Sequence, residues 1–339
     1  VNTLSWFSPD NHHRVKFTSE LRRDEYSQEL SQNQFGSFSY NSLAALESGV
    51  PASFTRQLTP RIRNGSQLVG AFSLGDAWRP TSNVQVQYGL RFDANKYLDG
   101  PTSNPAVTAA FKQNNTDVPS RGYFSPRIGF SWTYGQADQV TMLPGMVRAP
   151  RAVVRGGFGV FQNTPGVQLV GNAIDNTGLP SGVQQLTCLG AAAPIANWSN
   201  YIVNQASIPT TCTDGLNGTV FSNSTPNVVV FDPNYMAQRS LRSNLQWSGP
   251  ILKNRLQATI DGTWSRNQHQ NGAIDLNFTG IQRFTLPNEN GRQVFVTPMA
   301  IVPATGQVAF RDARLFPEFG RVTQNRSDIS SETKQLTLN

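Results

Sequence analysis

Residues 78–93, WRPTSNVQVQYGLRFD, decide the fold. After the polar turn RPTSN, Val84, Val86, Tyr88, Leu90 and Phe92 alternate with Gln85, Gln87, Gly89, Arg91 and Asp93. Successive side chains leave a strand on opposite faces, so this period of two describes a strand with one apolar and one polar face. What meets the apolar face sets the function class. A protein core there gives a soluble β-domain; lipid gives the wall of a membrane pore.

The pattern recurs along the chain. HHRVKFTSELRRDEY (12–26) sets Val15, Phe17, Ser19 and Leu21 against Arg14, Lys16, Thr18, Glu20 and Arg22. RIGFSWTY (127–134), QRSLRSNLQW (238–247) and RLQATIDGTWS (255–265) alternate in the same way, with SQLVGAFSLGDAW (66–78), VVRGGFGVFQ (153–162) and DISSETKQLTLN (328–339) doing so less strictly. Strands of soluble sandwiches cluster near ~5–6 residues. Several here hold their pattern for about ten, the ~9–11 residues a tilted strand needs to cross a bilayer. A polar face on every strand suits a water-filled lumen better than the inside of a sandwich.

Connection lengths point the same way. The links at 8–11, 79–83 and 249–254 are short, and an intermediate link at 135–152 falls at the same end of the alternation. The alternate links, 98–121, 163–235 and 267–326, are long. Short turns at one end and long loops at the other are the habit of outer-membrane barrels. Trp6, Trp78, Trp132, Tyr134 and Trp247 all lie beside the short-turn ends, where amphipathic rings suit the headgroup zone. The expected fold is all-β, part of a large antiparallel transmembrane β-barrel with about nine or ten strands present and long extracellular loops. Within residues 40–54 a short helix is expected, with Ser42 as N-cap and Gly49 as its stop.

Composition narrows the function. Only 14% of residues are charged while 10% are aromatic, which argues against a disordered chain. The net charge of +7 comes from scattered arginines, with five lysines and no run of five like charges, so there is no basic arm for nucleic acid. No apolar run reaches the ~18 residues of a transmembrane helix. Cys188 and Cys212, in one long loop, are expected to form a disulfide in an oxidising compartment. Neither a CxxC pair nor a histidine lies near enough to suggest a metal instead. His12 and His13 leave a strand on opposite faces and cannot easily share a metal, and His269 falls in a loop. RGGFGVF (155–161) lacks the G-x-G-x-x-G spacing and a following helix, so it is no phosphate loop. HExxH and GxSxG are absent, and no catalytic residue or cofactor is expected. The triplets at Asn64, Asn197 and Asn217 are what an Asn-rich chain produces by chance. On the polar faces stand Arg91, Asp93, Arg127, Arg155, Arg242 and Asp261, placed to line a lumen, grip a plug or pair across strands.

The stretches GDAWRPTSNVQVQYGLRFD, FSPRIGFSW, VVRGGFGVFQN, NTGLPSGVQQLTCLG, GRQVFV and FPEFGRV, with FGSFSYNSLAALESGVPASFTR before them, resemble the barrel region of Oar-like TonB-dependent outer-membrane receptors. The resemblance implies a barrel of about 22 strands around a plug, a periplasmic box engaging the TonB complex, and proton-motive force relayed to move the plug. Some such proteins are linked instead to protein export or surface development. Residues 1–339 show no plug, TonB box, carboxypeptidase-like domain or terminal aromatic strand, so they are expected to form one partial barrel whose plug and remaining strands lie outside it. An open sheet in lipid leaves unpaired edges and cannot transport alone. The expected partners are outer-membrane lipid, the TonB complex through the missing N-terminal region, and an unidentified extracellular substrate, in a Gram-negative type outer membrane. A structural or adhesive surface barrel is the second reading. A soluble glycan-binding sandwich is the third, disfavoured by strand length and loop asymmetry.

Overall fold

A computed structural model describes residues 1–30, 32–58, 61–136, 150–179, 185–213, 222–223, 225–252, 256–303, 306 and 308–339. The strands are β1 (Asn2–Phe7), β2 (His13–Leu30), β3 (Ser37–Ser39), β4 (Ser53–Gln57), β5 (Arg61–Thr81), β6 (Val84–Tyr97), β7 (Gly122–Gln136), β8 (Pro150–Gln162), β9 (Gln185–Leu189), β10 (Ser222–Asn223), β11 (Val228–Phe231), β12 (Arg239–Ile251), β13 (Leu256–Asp275), β14 (Phe284–Leu286), β15 (Arg292–Val294) and β16 (Val322–Leu338). Four short helices, α1 (Leu43–Glu47), α2 (Pro105–Phe111), α3 (Gly171–Asp175) and α4 (Trp198–Val203), lie in the long connections.

Ten strands form one sheet in the order β1-β2-β5-β6-β7-β8-β12-β13-β16-β11. The first nine are antiparallel neighbours, and β11 pairs parallel with β16, Val228 to Phe231 lying against Val322 to Asn325. The long strands follow from uninterrupted alternation. β2 and β5 stay in register over 18 pairs, from His13–Trp78 to Leu30–Arg61, well beyond one bilayer crossing.

The ends of the strands match the expected segregation, with shifted limits. Short turns follow β1 and β5, and Ser8 opens the first by accepting from the backbone N–H of His13 at 2.9 Å. Within that turn the Ser8 hydroxyl donates to Asp10. With the backbone N–H of His12 it holds the carboxyl below its ordinary value. The β7–β8 link (137–149), Lys253 and part of the β12–β13 turn, and Asn217, lie outside the described residues. The last long link begins later than the alternation suggested, because β13 continues to Asp275. Register shifts between Asn267, Gln270 and Gly272 break the period of two without ending the strand.

The long connections fold rather than trail. Ser42 caps α1 by accepting from the Ala45 N–H at 3.1 Å, and Gly49 follows at φ +68°, a left-handed conformation suited to glycine. A second sheet, β10-β9-β4-β3, packs Phe54, Leu186, Cys188 and Ile208 around the Cys188–Cys212 disulfide. No helix among the described residues is long and apolar enough to cross a membrane.

Candidate functional site

The main sheet offers three surfaces: an apolar face, a bare polar face, and a stretch of polar face covered by loops. On the apolar face successive register rows run Trp78–Val86–Phe130, Asp76–Tyr88–Ile128 and Leu74–Leu90–Pro126. None of the described residues packs over them. Leu74 is 57% exposed, Ile128 54% and Leu245 58%, a density of bare large apolar groups that a water-facing surface does not carry.

The aromatic residues stand on this face near the short turns. Trp78 stacks on His13 with ring centroids 6.1 Å apart, Trp132 lies 4.9 Å from Tyr134, and the Trp247 indole N–H donates to the Tyr134 hydroxyl at 2.8 Å. Buried indole and phenol groups need such partners. The alternation of β5 also puts one carboxylate, Asp76, on the apolar face. Its Oδ2 lies 2.6 Å from His13 Nδ1 and accepts from the Tyr88 hydroxyl at 2.9 Å, while Oδ1 accepts from the Arg14 backbone at 3.1 Å. An acid amid apolar groups is tolerated only with its oxygens satisfied in this way.

On the polar face the six sequence-selected charges share one side of the sheet but do not form one cluster. Arg91 and Asp93 pair at 2.8 Å. Arg127 and Arg242, on the two strands that flank β8, both approach the Phe161 ring, at 4.4 and 5.3 Å from its centroid, a cation–π arrangement. Arg155 and Asp261 flank Gln246 in one register row without touching each other. A further row escaped the sequence reading: Lys16–Gly75–Gly89–Arg127–Gly159–Arg242. Its cations alternate with a glycine floor, and a Cβ at Gly89 would lie 2.9 Å from the Leu74 carbonyl oxygen. Single residues at period two signalled the polar face, but the row runs across strands and needs their register.

Towards the long loops the polar face is covered by the chain itself. The Gln67 amide donates to Asp24 and to the Pro165 carbonyl, at 3.1 and 3.2 Å, and the Tyr97 hydroxyl donates to Gly166 at 3.2 Å. Arg63 pairs with Asp175 of α3 in a buried contact. Val170 and Ala173 pack against Tyr97, Phe231 and Tyr235. Burial raises the Tyr235 phenol above its ordinary value, with nearby Tyr123 adding to the effect, and its hydroxyl donates to Asn271 at 2.7 Å. Asp93 and Asn95 end up buried beneath this cover rather than open to a water-filled space. His12 lies 3.3 Å from Asp10 and not beside His13's partner. Among the described residues no group of three metal-ligating side chains occurs.

Three solved structures share a coarse likeness. The siderophore receptor PirA of Pseudomonas aeruginosa is 12% identical, with a TM-score of 0.35, covering 96% of this chain and 43% of that one. A mutant of the Serratia marcescens hemophore receptor HasR, in complex with HasA and heme, is 10% identical with a TM-score of 0.35, covering 96% and 39%. A Pseudomonas aeruginosa FadL homologue is 9% identical with a TM-score of 0.19, covering 99% and 65%. The chain therefore spans less than half the length of the first two, and these scores carry no functional argument. No curated protein sequence matches it. The family model for an outer membrane beta barrel domain matches residues 1–339, and with its long two-faced antiparallel strands the chain belongs to that family of outer-membrane β-barrels.

Proposed function

We propose that this chain is a non-enzymatic wall segment of an Oar-like TonB-dependent outer-membrane transporter, with its polar face turned to a plugged lumen and its apolar face to lipid. The observation that carries the reading is the division of the polar face. Its long-loop end on β2, β5, β6 and β7 is covered by the chain's own segments 163–179 and 228–237. The rest is bare, and along one register row from β2 to β12 Lys16, Arg127 and Arg242 stand over glycine without a carboxylate partner among the described residues. A wall covered in one part and bare in another suits an interior that a further domain fills. Glycine in a strand admits close approach of another backbone. The sequence motifs shared with Oar-like receptors support the same assignment.

The test is in-cell photocrosslinking of the complete protein to TonB, together with its phenotype when proton-motive force is collapsed. Crosslinks and a lost phenotype are expected. An intact phenotype without crosslinks would replace transport by the second reading, a surface-exposed structural or adhesive barrel. That reading draws on the disulfide-closed loop sheet, where Trp198 and Ile202 are displayed on the surface.

A further inference from the structure

The apolar face does not end uniformly; where its strands leave the apolar band it turns basic. On β2 ten positions separate His13, in the aromatic row, from Arg23 on the same face. Ten also separate Val86, the register partner of Trp78, from Lys96 on β6, and Leu256 from Arg266 on β13. Eight separate Trp247 from Arg239 on β12. Even separations keep each pair on one face, and ~9–11 residues is one crossing of the hydrocarbon layer by a tilted strand. Lys334 on β16 joins this line as the register partner of Trp264.

The charge balance of the line is uneven. Arg23 pairs with Glu25 at 2.6 Å and Lys334 with Glu332 at 2.9 Å, and the Trp264 indole N–H also donates to Glu332 at 3.0 Å. Arg239 donates to the neutral Gln268 at 3.0 Å. Lys96 and Arg239 have no carboxylate partner among the described residues, and Arg266 shares with Lys334 the single carboxylate of its register partner Glu332. In a chain where only 14% of residues are charged and five are lysines, two of those lysines and three arginines fall on this line.

We propose that Arg23, Lys96, Arg239, Arg266 and Lys334 form a basic collar that binds the phosphates of anionic lipid headgroups in the leaflet on the long-loop side. The proposal rests on the apolar face meeting lipid and is independent of whether the barrel transports. The occupant follows from position and charge. A group reaching the collar lies at the boundary of the hydrocarbon, beside the apolar rows, and must be anionic to neutralise Lys96 and Arg239, which face no carboxylate, and the excess of cations around Glu332. Long Lys and Arg side chains extend from such boundary positions to the headgroup level.

The test uses the complete barrel protein in vesicles containing brominated phosphatidic acid or brominated phosphatidylcholine, read by quenching of tryptophan fluorescence; Trp264 reports on the collar. The native protein should prefer phosphatidic acid at least tenfold, since each cation near an anionic surface contributes about fivefold, and 0.5 M salt should weaken the preference. The triple variant Lys96→Gln, Arg239→Gln, Arg266→Gln should lose it, whereas Arg266→Lys should keep it. Equal quenching by both lipids in the native protein, or an unchanged preference in the triple variant, would overturn the collar. Failure of either lipid to quench would instead overturn the contact of the apolar face with lipid. Heat-modifiable migration checks that each variant has folded.

Discussion

Replacing Leu90 with arginine tests which face meets lipid. Leu90 lies four residues from Val86, the register partner of Trp78. At ~3.3 Å per residue that is about 13 Å along the strand, or about 10 Å of depth at a ~40° tilt. In an apolar band ~25 Å tall this is close to the middle, where an arginine on the lipid face costs ~2–4 kcal/mol. No protein group covers the position, which is 47% exposed beside Leu74. The cost would therefore come from lipid and not from a disturbed core. Gln87→Arg, on the opposite face of the same strand, serves as the control and should stay within about 0.5 kcal/mol. The assay is reversible urea unfolding of the complete protein in vesicles, comparing both variants with the parent. Equal losses, or a larger loss for Gln87→Arg, would refute the assignment of the faces.

Four further outcomes follow, three from the loops and one from strand β6. Asp175→Ala leaves Arg63 buried without its partner, so loss of about 3–5 kcal/mol is expected locally, read as faster hydrogen exchange across 167–175; unchanged protection there would count against the loop cover. Serine at both Cys188 and Cys212, which are 24 positions apart, should remove about 3 kcal/mol from the loop sheet and speed its proteolysis, while neither thiol labels in unreduced parent protein. Tyr235 should titrate above the ordinary phenol value of 10.0. Its folded-state value is raised, so its stabilisation is complete below about pH 10 and fades as pH rises through the folded value; a Tyr235→Phe difference titration at 295 nm with a midpoint at or below 10 would contradict this. Gly89→Val forces a Cβ to 2.9 Å from a carbonyl oxygen and should cost about 1–3 kcal/mol, visible as a lowered urea midpoint.

The parts legible in the sequence are those governed by neighbours in the chain. The two faces of β6 could be read because alternation is local, and the α1 cap because Ser42 and Ala45 are three residues apart. The parts missed depend on distant segments. The run VVVF at 228–231 has the composition of a strand, but its partner begins at Val322 and pairs in parallel, which no local pattern specifies. Likewise the period of two in β13 stops near 266, because the shifts at Asn267 and Gln270 scramble it while the ladder to β16 continues.

The same distinction explains why the surface chemistry was only half visible. Arg127 and Arg242 were recognisable as polar-face charges, yet their shared ring, Phe161, and the glycine row between them exist only once β7, β8 and β12 are in register. Asp76 makes the converse case: its place in the alternation put a carboxylate on the apolar face, an apparent violation. His13 and Tyr88 resolve it from adjacent strands by taking up its oxygens. A strand's own sequence thus fixes which way each side chain points, while register decides whether a charge so placed is satisfied or left for a partner. Among the described residues Lys96 and Arg239 are left without a carboxylate on the apolar side, and Lys16, Arg127 and Arg242 on the polar side. These two lines carry the two proposals, an anionic lipid headgroup for the apolar side and a further domain inside the barrel for the polar side.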